Sequence, residues 1–491
     1  MEEPGRRPAG STHAADLRPP RRIRRPPPPE PYRIKVVEPI RLLSPSRRRA
    51  VLERAGFNVF HIPSEDVFID LLTDSGTSAM SAAQWAALMR GDEAYAGSAS
   101  FYRLREAVEE VLGFPFVVPT HQGRAAEHIL FQVLIRPGSW VVANTIFDTT
   151  RAHILDKQGR PAELLVEEGL DPTCEHPFKG NIDLRRLSAF IEREGAGAIS
   201  FLLLTVTSNN NGGQPVSLEN IRKAAALARA HRIPVILDAA RYAENAYFIR
   251  EREPGQQGRS LAAIAREMFE QADGCTMSAK KTALVNIGGF IALRDESLYR
   301  ACLERLVVYE GFPTYGGLAG RDLEAMAVGL REGLDEEYLR ARLEQVAYLA
   351  GGLGEVGVPV VRPPGGHGVY VDCAAFLPHL SRDRYPADAL AAWLYLEGGV
   401  RACGLGALAF AERRQDTGEW VYPRLELLRM AIPRRVYTHA HLDYVVEVMG
   451  RIACQRERIP GLRLVREAPV LRHFLSVLAP AAPEETGPGE R

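Results

Sequence analysis

The chain has 491 residues, of which 46% are hydrophobic and 25% are charged, with 61 basic and 61 acidic side chains. These proportions are those of an ordinary globular protein, and the zero net charge gives no reason to expect nucleic acid or a membrane as partner. The six cysteines form no CxxC pattern, and no apolar run is long enough to span a membrane. We therefore expect a cytoplasmic protein with free thiols, too long for one simple core.

The two ends of the chain differ from the rest in composition. Arg and Pro dominate the first 33 residues, as in RRIRRPPPP at 21–29, and such a segment cannot bury enough apolar surface to form a core. It lacks the apolar stretch of a secretory signal. We predict a disordered tail at 1–33, with targeting or RNA binding as the alternative. A second disordered tail is predicted at 479–491, which is rich in Pro, Gly and Glu.

Between the tails, strand and helix patterns alternate along the chain. Apolar spacing predicts helices at 81–89 and 100–112, and Ser81 with Gln84 could form a capping box at the start of the first. Three predicted strands, with helices after the first two, are at 117–120, 198–207 and 234–238. This alternation predicts an α/β fold with a parallel sheet, in which ligands bind beyond the carboxyl ends of the strands.

From about residue 335 the pattern changes to a long helix rich in Arg, Glu and Leu, followed by shorter strands and helices. This change predicts a second, smaller domain. We place a large domain at 80–330 and a small C-terminal domain at 331–478. An N-terminal arm at 34–79 is expected to pack with the small domain.

A carboxylate at a strand end precedes a lysine pair. Asp238 ends a predicted buried strand, and Lys280 and Lys281 close the stretch TMSAKK at 276–281. In enzymes that use pyridoxal 5′-phosphate (PLP), a lysine forms an imine with the cofactor aldehyde, and an acidic side chain keeps the pyridine nitrogen protonated. Either motif alone is more often a surface pair or an ordinary strand end, but together they predict a PLP site.

Other polar or aromatic residues at predicted strand ends suit the same cofactor. Free N–H groups at a helix start, beside a cationic side chain and a hydroxyl, would bind a phosphate. A phenylalanine could stack on a planar ring, and amide and guanidinium groups could hydrogen-bond a phenolic oxygen. Each residue alone is more often structural. The candidates are Gln122, Gly123, Arg124 and Ser278 for the phosphate, and Phe147, Asn209 and Arg241 for the ring.

Seven stretches, in order, resemble the β-eliminating lyases, the family of tryptophan indole-lyase and tyrosine phenol-lyase. They are DLLTDSGT at 70–77, GDEAYAGS at 91–98, PTHQGR at 119–124, GGQPVS at 212–217, TMSAKK at 276–281, YGGL at 315–318 and IPRR at 432–435. The resemblance covers roughly residues 35–475. It implies a PLP-dependent transferase fold of type I, with a mixed, mostly parallel seven-stranded sheet in the large PLP-binding domain and a smaller α+β domain. It also implies a homotetramer with active sites at subunit interfaces.

The resemblance further implies the roles of individual residues. Lys281 would carry the imine and remove the α-proton of the amino acid, and Lys280 would tune proton transfer. Tyr95 would protonate the leaving aromatic ring, while Arg429, assisted by Thr73, would bind the substrate carboxylate. The reaction would pass through an external aldimine, a quinonoid and an aminoacrylate, and would release pyruvate and ammonia.

Two further implications concern ions and the cofactor ring. Asp238 would pair with the pyridine nitrogen of PLP. Members of the family also need a monovalent cation, usually potassium. Glu93 with the carbonyl groups of Gly76 and Asn286 would bind it, since oxygen ligands suit hard cations.

Several positions favour the indole-lyase branch. Asp148 and His473 match residues of that branch, and Phe312 and Thr314 resemble it. Leu405 stands where phenol-lyases place an arginine for the phenol oxygen, and a missing polar contact discriminates strongly between substrates. The ordinary explanations are that His473 is a surface histidine and that Leu405 fills the apolar core. We expect cleavage of L-tryptophan to indole, pyruvate and ammonia.

Departures from the family pattern keep other substrates open. Thr282, Asn286 and Gly404 replace more usual residues, and tyrosine, a substituted tryptophan or an S-substituted cysteine are the alternatives. A non-catalytic PLP-binding protein would be expected to lack the reactive residues, which are all present. Nucleic-acid binding could come only from the Arg/Pro tail, and none is expected.

Overall fold

The computed structural model describes residues 29–414 and 416–482. Most of both predicted tails, residues 1–28 and 483–491, therefore lies outside the described residues. The helices are α1 Pro45–Arg54, α2 Ala82–Leu88, α3 Ala99–Leu112, α4 Gly123–Leu134, α5 Asp148–Asp156, α6 Leu184–Glu194, α7 Leu218–Ala230, α8 Tyr242–Arg252, α9 Leu261–Glu270, α10 Glu296–Tyr309, α11 Gly320–Glu332, α12 Glu336–Glu355, α13 Cys373–Phe376, α14 Pro386–Gly398, α15 Ala407–Phe410, α16 His439–Ala453 and α17 Arg472–Leu475.

The strands fall into one large sheet and several small ones. They are β1 Ile69–Asp70, β2 Phe116–Thr120, β3 Trp140–Ala143, β4 Arg160–Glu163, β5 Ile199–Thr205, β6 Val235–Asp238, β7 Gly274–Ser278, β8 Gly289–Leu293, β9 Gly368–Asp372, β10 Val400–Arg401, β11 Cys403–Leu405, β12 Glu412–Arg413, β13 Trp420–Val421, β14 Leu427–Ala431, β15 Leu462–Arg466 and β16 Val477–Pro480.

The large sheet has seven strands in the order β2-β8-β7-β6-β5-β3-β4. Only β8 runs against its two neighbours, while β7, β6, β5, β3 and β4 are mutually parallel. Helices cover both faces, which explains why all seven residues of β5 are buried. The predicted α/β fold with a mixed, mostly parallel seven-stranded sheet is confirmed.

Side-chain caps mark the starts of both predicted helices, and the one at α2 is the cap that the sequence predicted. The Ser81 hydroxyl accepts the backbone N–H of Gln84, and the Gln84 side chain accepts the N–H of Ser81, which completes a capping box at α2. Ser98 caps α3 by accepting the N–H of Phe101. The helix predicted at 100–112 therefore begins one residue earlier than the sequence indicated.

One apolar core packs on one face of the large sheet, a second packs on the other face, and a third joins the segment 43–71 to the C-terminal helices. β1 pairs in parallel with β10 and so ties the N-terminal segment to the C-terminal part. Tyr338 and Leu339 in the first turn of α12 belong to the first core, although they follow residue 331. The domain boundaries at 34–79, 80–330 and 331–478 stay a prediction.

Residues at both chain ends make contacts that the composition did not indicate. Ala479 and Pro480, placed in a disordered tail by the sequence, instead end β16 and pair with Arg463 and Leu462. Near the other end, Glu30 Oε1 lies 3.3 Å from His439 Nδ1. Among the described residues, no helix combines the length and apolar character needed to cross a bilayer.

Lys179 joins two distant parts of the chain through its ammonium group. The side chain is buried, and Nζ donates to the carbonyl oxygens of Asp171 (2.5 Å), Cys174 (3.1 Å) and Arg362 (2.7 Å). Burial lowers the pKa of Lys179. The three carbonyl groups stabilise its charge in place of a carboxylate.

Replacement of Lys179 by methionine is expected to lower the free energy of unfolding by about 2–4 kcal/mol, because three carbonyl groups lose a charged donor. Denaturant titration measures this change. The control is Lys223→Met, which removes an exposed Lys223–Glu219 ion pair on α7 and should change the free energy by less than about 0.5 kcal/mol. Equal effects of the two substitutions would contradict the assigned role.

Candidate active site

Ten predicted site residues line one cavity at the edge where β2, β3, β5, β6 and β7 end. This edge is where open α/β sheets bind ligands. The ten residues are Gln122, Gly123, Arg124, Phe147, Asn209, Asp238, Arg241, Ser278, Lys280 and Lys281. The topology therefore brings together the groups predicted for the cofactor ring, its phosphate and its lysine. Their individual roles stay predictions.

Lys281 and Asp238 are two buried ionisable groups that line this cavity. Lys281 Nζ donates to Ser278 Oγ at 3.0 Å. Burial lowers the pKa of Lys281 to about 8, and the Arg241 cation acts in the same direction. Burial raises the pKa of Asp238, although the Lys281 charge opposes this shift. A lysine that loses its proton this readily can serve as a nucleophile and as a base near neutral pH.

The first turn of α4 forms the end of the cavity that suits a phosphate. Gln122 precedes the helix in an extended conformation, and no side chain caps the N-terminus. A methyl group at position 123 would come within 2.7 Å of the Ser278 Cβ, so glycine allows this close approach. The helix N-terminus, the Arg124 cation and the Ser278 hydroxyl together favour an anion. These residues fit the phosphate of PLP.

Arg241 is held by a buried ion network. Its guanidinium donates to both oxygens of Asp74, at 2.9 and 2.7 Å. Arg434 Nη1 donates to the same carboxylate at 2.9 Å and also pairs with Glu244. Burial alone would raise the pKa of Asp74, but Arg241 and Arg434 hold it well below its usual value.

Sequence reasoning gave Asp74 no role beyond its place in a motif. Thr282, one of the departures from the family pattern, joins the same network. Its hydroxyl donates to the Ala240 carbonyl (3.0 Å) and to Glu244 (3.3 Å). Thr282 therefore supports the carboxylate that pairs with Arg434.

A second cluster connects Arg429 to the cavity through Asn209. Arg429 donates to Asn209 Oδ1 (3.0 Å) and to the Leu72 carbonyl (2.9 Å). His367, which sequence reasoning missed, lies 2.9 Å from the same Asn209 oxygen and 2.7 Å from the Tyr370 hydroxyl. Within the described part of the chain, Arg429 Nε is buried without a hydrogen-bond partner. Arg429 therefore retains a buried donor. Its hydrogen bond to the Leu72 carbonyl places it beside the segment that contains Thr73.

Asp148 and His473 form a buried pair. His473 Nε2 lies 3.0 Å from Asp148 Oδ2, with 2% and 6% of the two side chains exposed. The histidine ring packs on Phe60 and Phe474. The ordinary explanation of His473 as a surface histidine is therefore wrong.

A second cavity of about 760 Å³ adjoins the first. The two share Thr145 and Asn210 as lining residues. Asp148 and Leu405 line the second cavity, together with apolar side chains such as Phe410. Leu405 is itself 2% exposed and packs in a small apolar cluster. Asp148 and Leu405, two of the residues that favoured the indole-lyase branch, thus line a cavity beside the predicted cofactor site, and His473 contacts Asp148. Phe312 instead packs on Tyr95.

Tyr95 and Glu93, two further predicted residues, lie at the surface of this chain. Tyr95 is 70% exposed, and its ring lies 5.6 Å from that of Phe312 and 5.2 Å from that of Tyr315. Glu93 is also exposed. Neither Tyr95 nor Glu93 lines the two cavities described above.

The predicted cation ligands are only partly assembled. Asn286 Nδ2 donates to the Gly76 carbonyl at 2.9 Å, so these two residues are adjacent. The Gly76 N–H donates to the Lys280 carbonyl, which places Gly76 next to the lysine pair. The potassium site stays a prediction.

Comparison with known proteins identifies the same relationship along most of the chain. The β-eliminating lyase family matches residues 70–448. A tryptophanase of Salinibacter ruber is 52% identical over 455 residues, which cover 93% of this chain and 96% of that protein. A tyrosine phenol-lyase of Symbiobacterium is 50% identical over 451 residues, which cover 92% and 98%. Identity alone therefore does not separate the two branches.

Solved structures show the same fold at low sequence identity. An aspartate aminotransferase of Rhizobium meliloti is similar with a TM-score of 0.58 and 15% identity, over 84% of this chain and 95% of that one. The predicted PLP-dependent transferase fold of type I is confirmed.

Proposed function

Because the chain belongs to the β-eliminating lyase family, we propose that it cleaves L-tryptophan to indole, pyruvate and ammonia. The family makes the chain a PLP-dependent enzyme that acts on an amino acid. The choice of tryptophan rests on the Asp148–His473 pair beside the apolar Leu405.

The wall around Leu405 suits indole better than a phenol. A phenolate oxygen would need a cation, but Leu405 offers none and Asp148 is acidic. The arginines that line the second cavity already have partners. Arg151 donates to Glu412 and Arg424 to Glu167. Arg186 donates to the Leu165 carbonyl, and Arg472 donates to the carbonyls of Ala407 and Ala411. An indole N–H could instead donate to a carboxylate, and its ring would contact apolar side chains.

The chain's own residues would bind the amino acid and move its protons. PLP, when bound, supplies the electron sink that makes the α-proton acidic. Lys281, with a pKa of about 8, would take that proton. Arg429 would bind the substrate carboxylate with its buried donor, and Thr73 would assist. Asp238 would hold the ring nitrogen, while Gln122 to Arg124 would hold the phosphate.

Tyr95 is proposed to act in the active site of a neighbouring subunit and not in that of its own chain. Its exposed ring, packed on Phe312 and Tyr315, supports a role as proton donor at the site of a neighbouring subunit. This role requires the homotetramer with interface active sites, which we propose as the assembly. Potassium at Glu93, Gly76 and Asn286 is part of the same proposal.

Pyruvate release tests the function directly. Purified protein with PLP and potassium is assayed in parallel with L-tryptophan, L-tyrosine and an S-alkyl-cysteine. We expect rapid turnover of tryptophan with tyrosine inert. Faster turnover of tyrosine would contradict the indole-lyase assignment but would agree with membership of the β-eliminating lyase family. Turnover of the S-alkyl-cysteine alone would overturn both aromatic substrates.

Leu405→Arg tests the specificity wall. The new guanidinium would fill apolar space beside the leaving group and place a charge there. We expect kcat/KM for tryptophan to fall about 10- to 100-fold, together with a rise for tyrosine. The matched control is Leu405→Met, which keeps the volume and should stay within about threefold. Unchanged tryptophan kinetics in Leu405→Arg would show that Leu405 does not face the leaving group.

A further inference from the structure

Glu127 is a buried carboxyl group that the proposed reaction does not use. It lies on α4, one turn after Gly123, and is 7% exposed. It lines the same cavity as Asp238 and Lys281. The hydroxyl of Thr150, itself 1% exposed, donates to Glu127 Oε1. The side chain is therefore fixed from α5 while it faces the predicted cofactor.

The charges around Glu127 come from three elements. Asp238 ends β6, Asp148 begins α5, and Lys281 follows β7. Burial raises the pKa of Glu127 to about 8, and the Asp238 charge raises it further in the same direction. Thr150 and Lys281 oppose the shift. Burial and the Asp238 charge therefore favour the neutral carboxylic acid form of Glu127.

Two carboxyl groups in one buried cavity compete for a proton. If both ionised, their repulsion in a poorly solvated site would be unfavourable, so one of them keeps a proton. The cofactor ring nitrogen gains most from an ionised partner. A proton on Glu127 leaves the negative charge on Asp238.

We propose that Glu127 is a positioning residue that stays protonated and so assigns the single negative charge of the pair to Asp238, opposite the pyridine nitrogen. This inference rests on the proposed PLP site and not on the identity of the amino-acid substrate. The Thr150 hydroxyl donates to Oε1 and holds the group in place. Because protonated Glu127 is neutral, it does not compete with Asp238 as the negative partner of the pyridine nitrogen.

Infrared difference spectra test the protonation. The spectrum of the unaltered full-length protein minus that of Glu127→Gln should show one carboxylic-acid carbonyl band at pH 7. That band should disappear at pH values above about 9, as Glu127 ionises. A carboxylate band in its place at pH 7 would overturn the proposal. The measurement needs no turnover, so it remains readable if tryptophan is not the substrate.

PLP titration of the apoprotein tests the positioning role. Glu127→Gln carries a permanently neutral group of the same shape, so its dissociation constant for PLP at pH 7 should stay within about threefold of the unaltered value. Asp238→Asn, which removes the charge itself, should raise that constant at least tenfold. Thr150→Val should also leave that constant within about threefold, because loss of the hydroxyl donor favours the neutral form of Glu127 further.

The opposite ranking would overturn the proposal. If Glu127→Gln weakened PLP binding as much as Asp238→Asn, the charge of Glu127 would itself contact the ring. If the unaltered protein and Glu127→Gln had the same carboxylic-acid absorption at pH 7, so that no difference band appeared, another group would carry the proton. Pyruvate release from tryptophan, measured on the same samples, reports the proposed function separately.

Discussion

Lys281→Ala is expected to reduce pyruvate release by about 10³-fold or more, since the same side chain would attach the cofactor and take the α-proton. Its position supports both tasks. Burial and the neighbouring Arg241 lower its pKa to about 8, and Ser278 accepts its hydrogen bond. The neutral amine therefore forms readily near physiological pH.

The control for this substitution is the adjacent lysine. Lys280 lines the same cavity, and burial lowers its pKa too, but its proposed role is to tune proton transfer. Lys280→Ala should therefore lose less activity, by about 10- to 100-fold. Borohydride reduction followed by mass spectrometry should attach the cofactor to the peptide that contains Lys281. Attachment at Lys280 would reverse the assignment of the pair.

Asp74→Ala is expected to lower the free energy of unfolding by about 3–5 kcal/mol. Two buried guanidinium groups, Arg241 and Arg434, would lose their common carboxylate. An isolated buried charge is costly because little water can solvate it. Denaturant unfolding of the purified protein measures the change.

The matched control is an exposed ion pair. Glu110 and Arg331 are 60% and 44% exposed, so Glu110→Ala should cost less than about 1 kcal/mol. Asp74→Asn keeps the shape but removes the charge and replaces one of the two acceptor oxygens with an NH2 group, and its loss of stability should lie between these values. PLP affinity should also fall in Asp74→Ala, because Arg241 would no longer be held towards the ring. A loss in Asp74→Ala no larger than that in Glu110→Ala would contradict the network.

Strand ends explain why much of the cavity was predictable from sequence. Asp238, Asn209 and Gln122 each follow a short apolar run, and parallel strands place their carboxyl ends along one edge. The lysine pair follows β7 in the same way. Local patterning was therefore sufficient to predict that these side chains meet.

Long-range contacts explain what the sequence did not show. Asp74 pairs with Arg434 across 360 positions, and no local period signals that contact. His473 lacks any apolar pattern that marks burial, yet Phe60 and Asp148 enclose it. Pro480 lies in a polar, Pro-rich stretch, but its pairing with Leu462 places it in a sheet. Composition cannot reveal a partner that lies in another part of the chain.

Tyr95 shows a different limit of both sequence and single-chain structure. The motif assigns it to the chemistry, but its exposed ring stands apart from Lys281. The proposed tetramer would resolve this separation, because a residue can be local to one subunit and functional in the next.

The ammonium group of Lys179 has a consequence for how the fold responds to its surroundings. Three carbonyl oxygens around one positive charge provide the kind of coordination that a dissolved potassium or sodium ion would otherwise receive. Here the cation is bonded to the chain, so dialysis cannot remove it and other ions cannot exchange with it. The junction between the loop at 171–174 and Arg362 should therefore keep its structure whatever the salt composition of the solution.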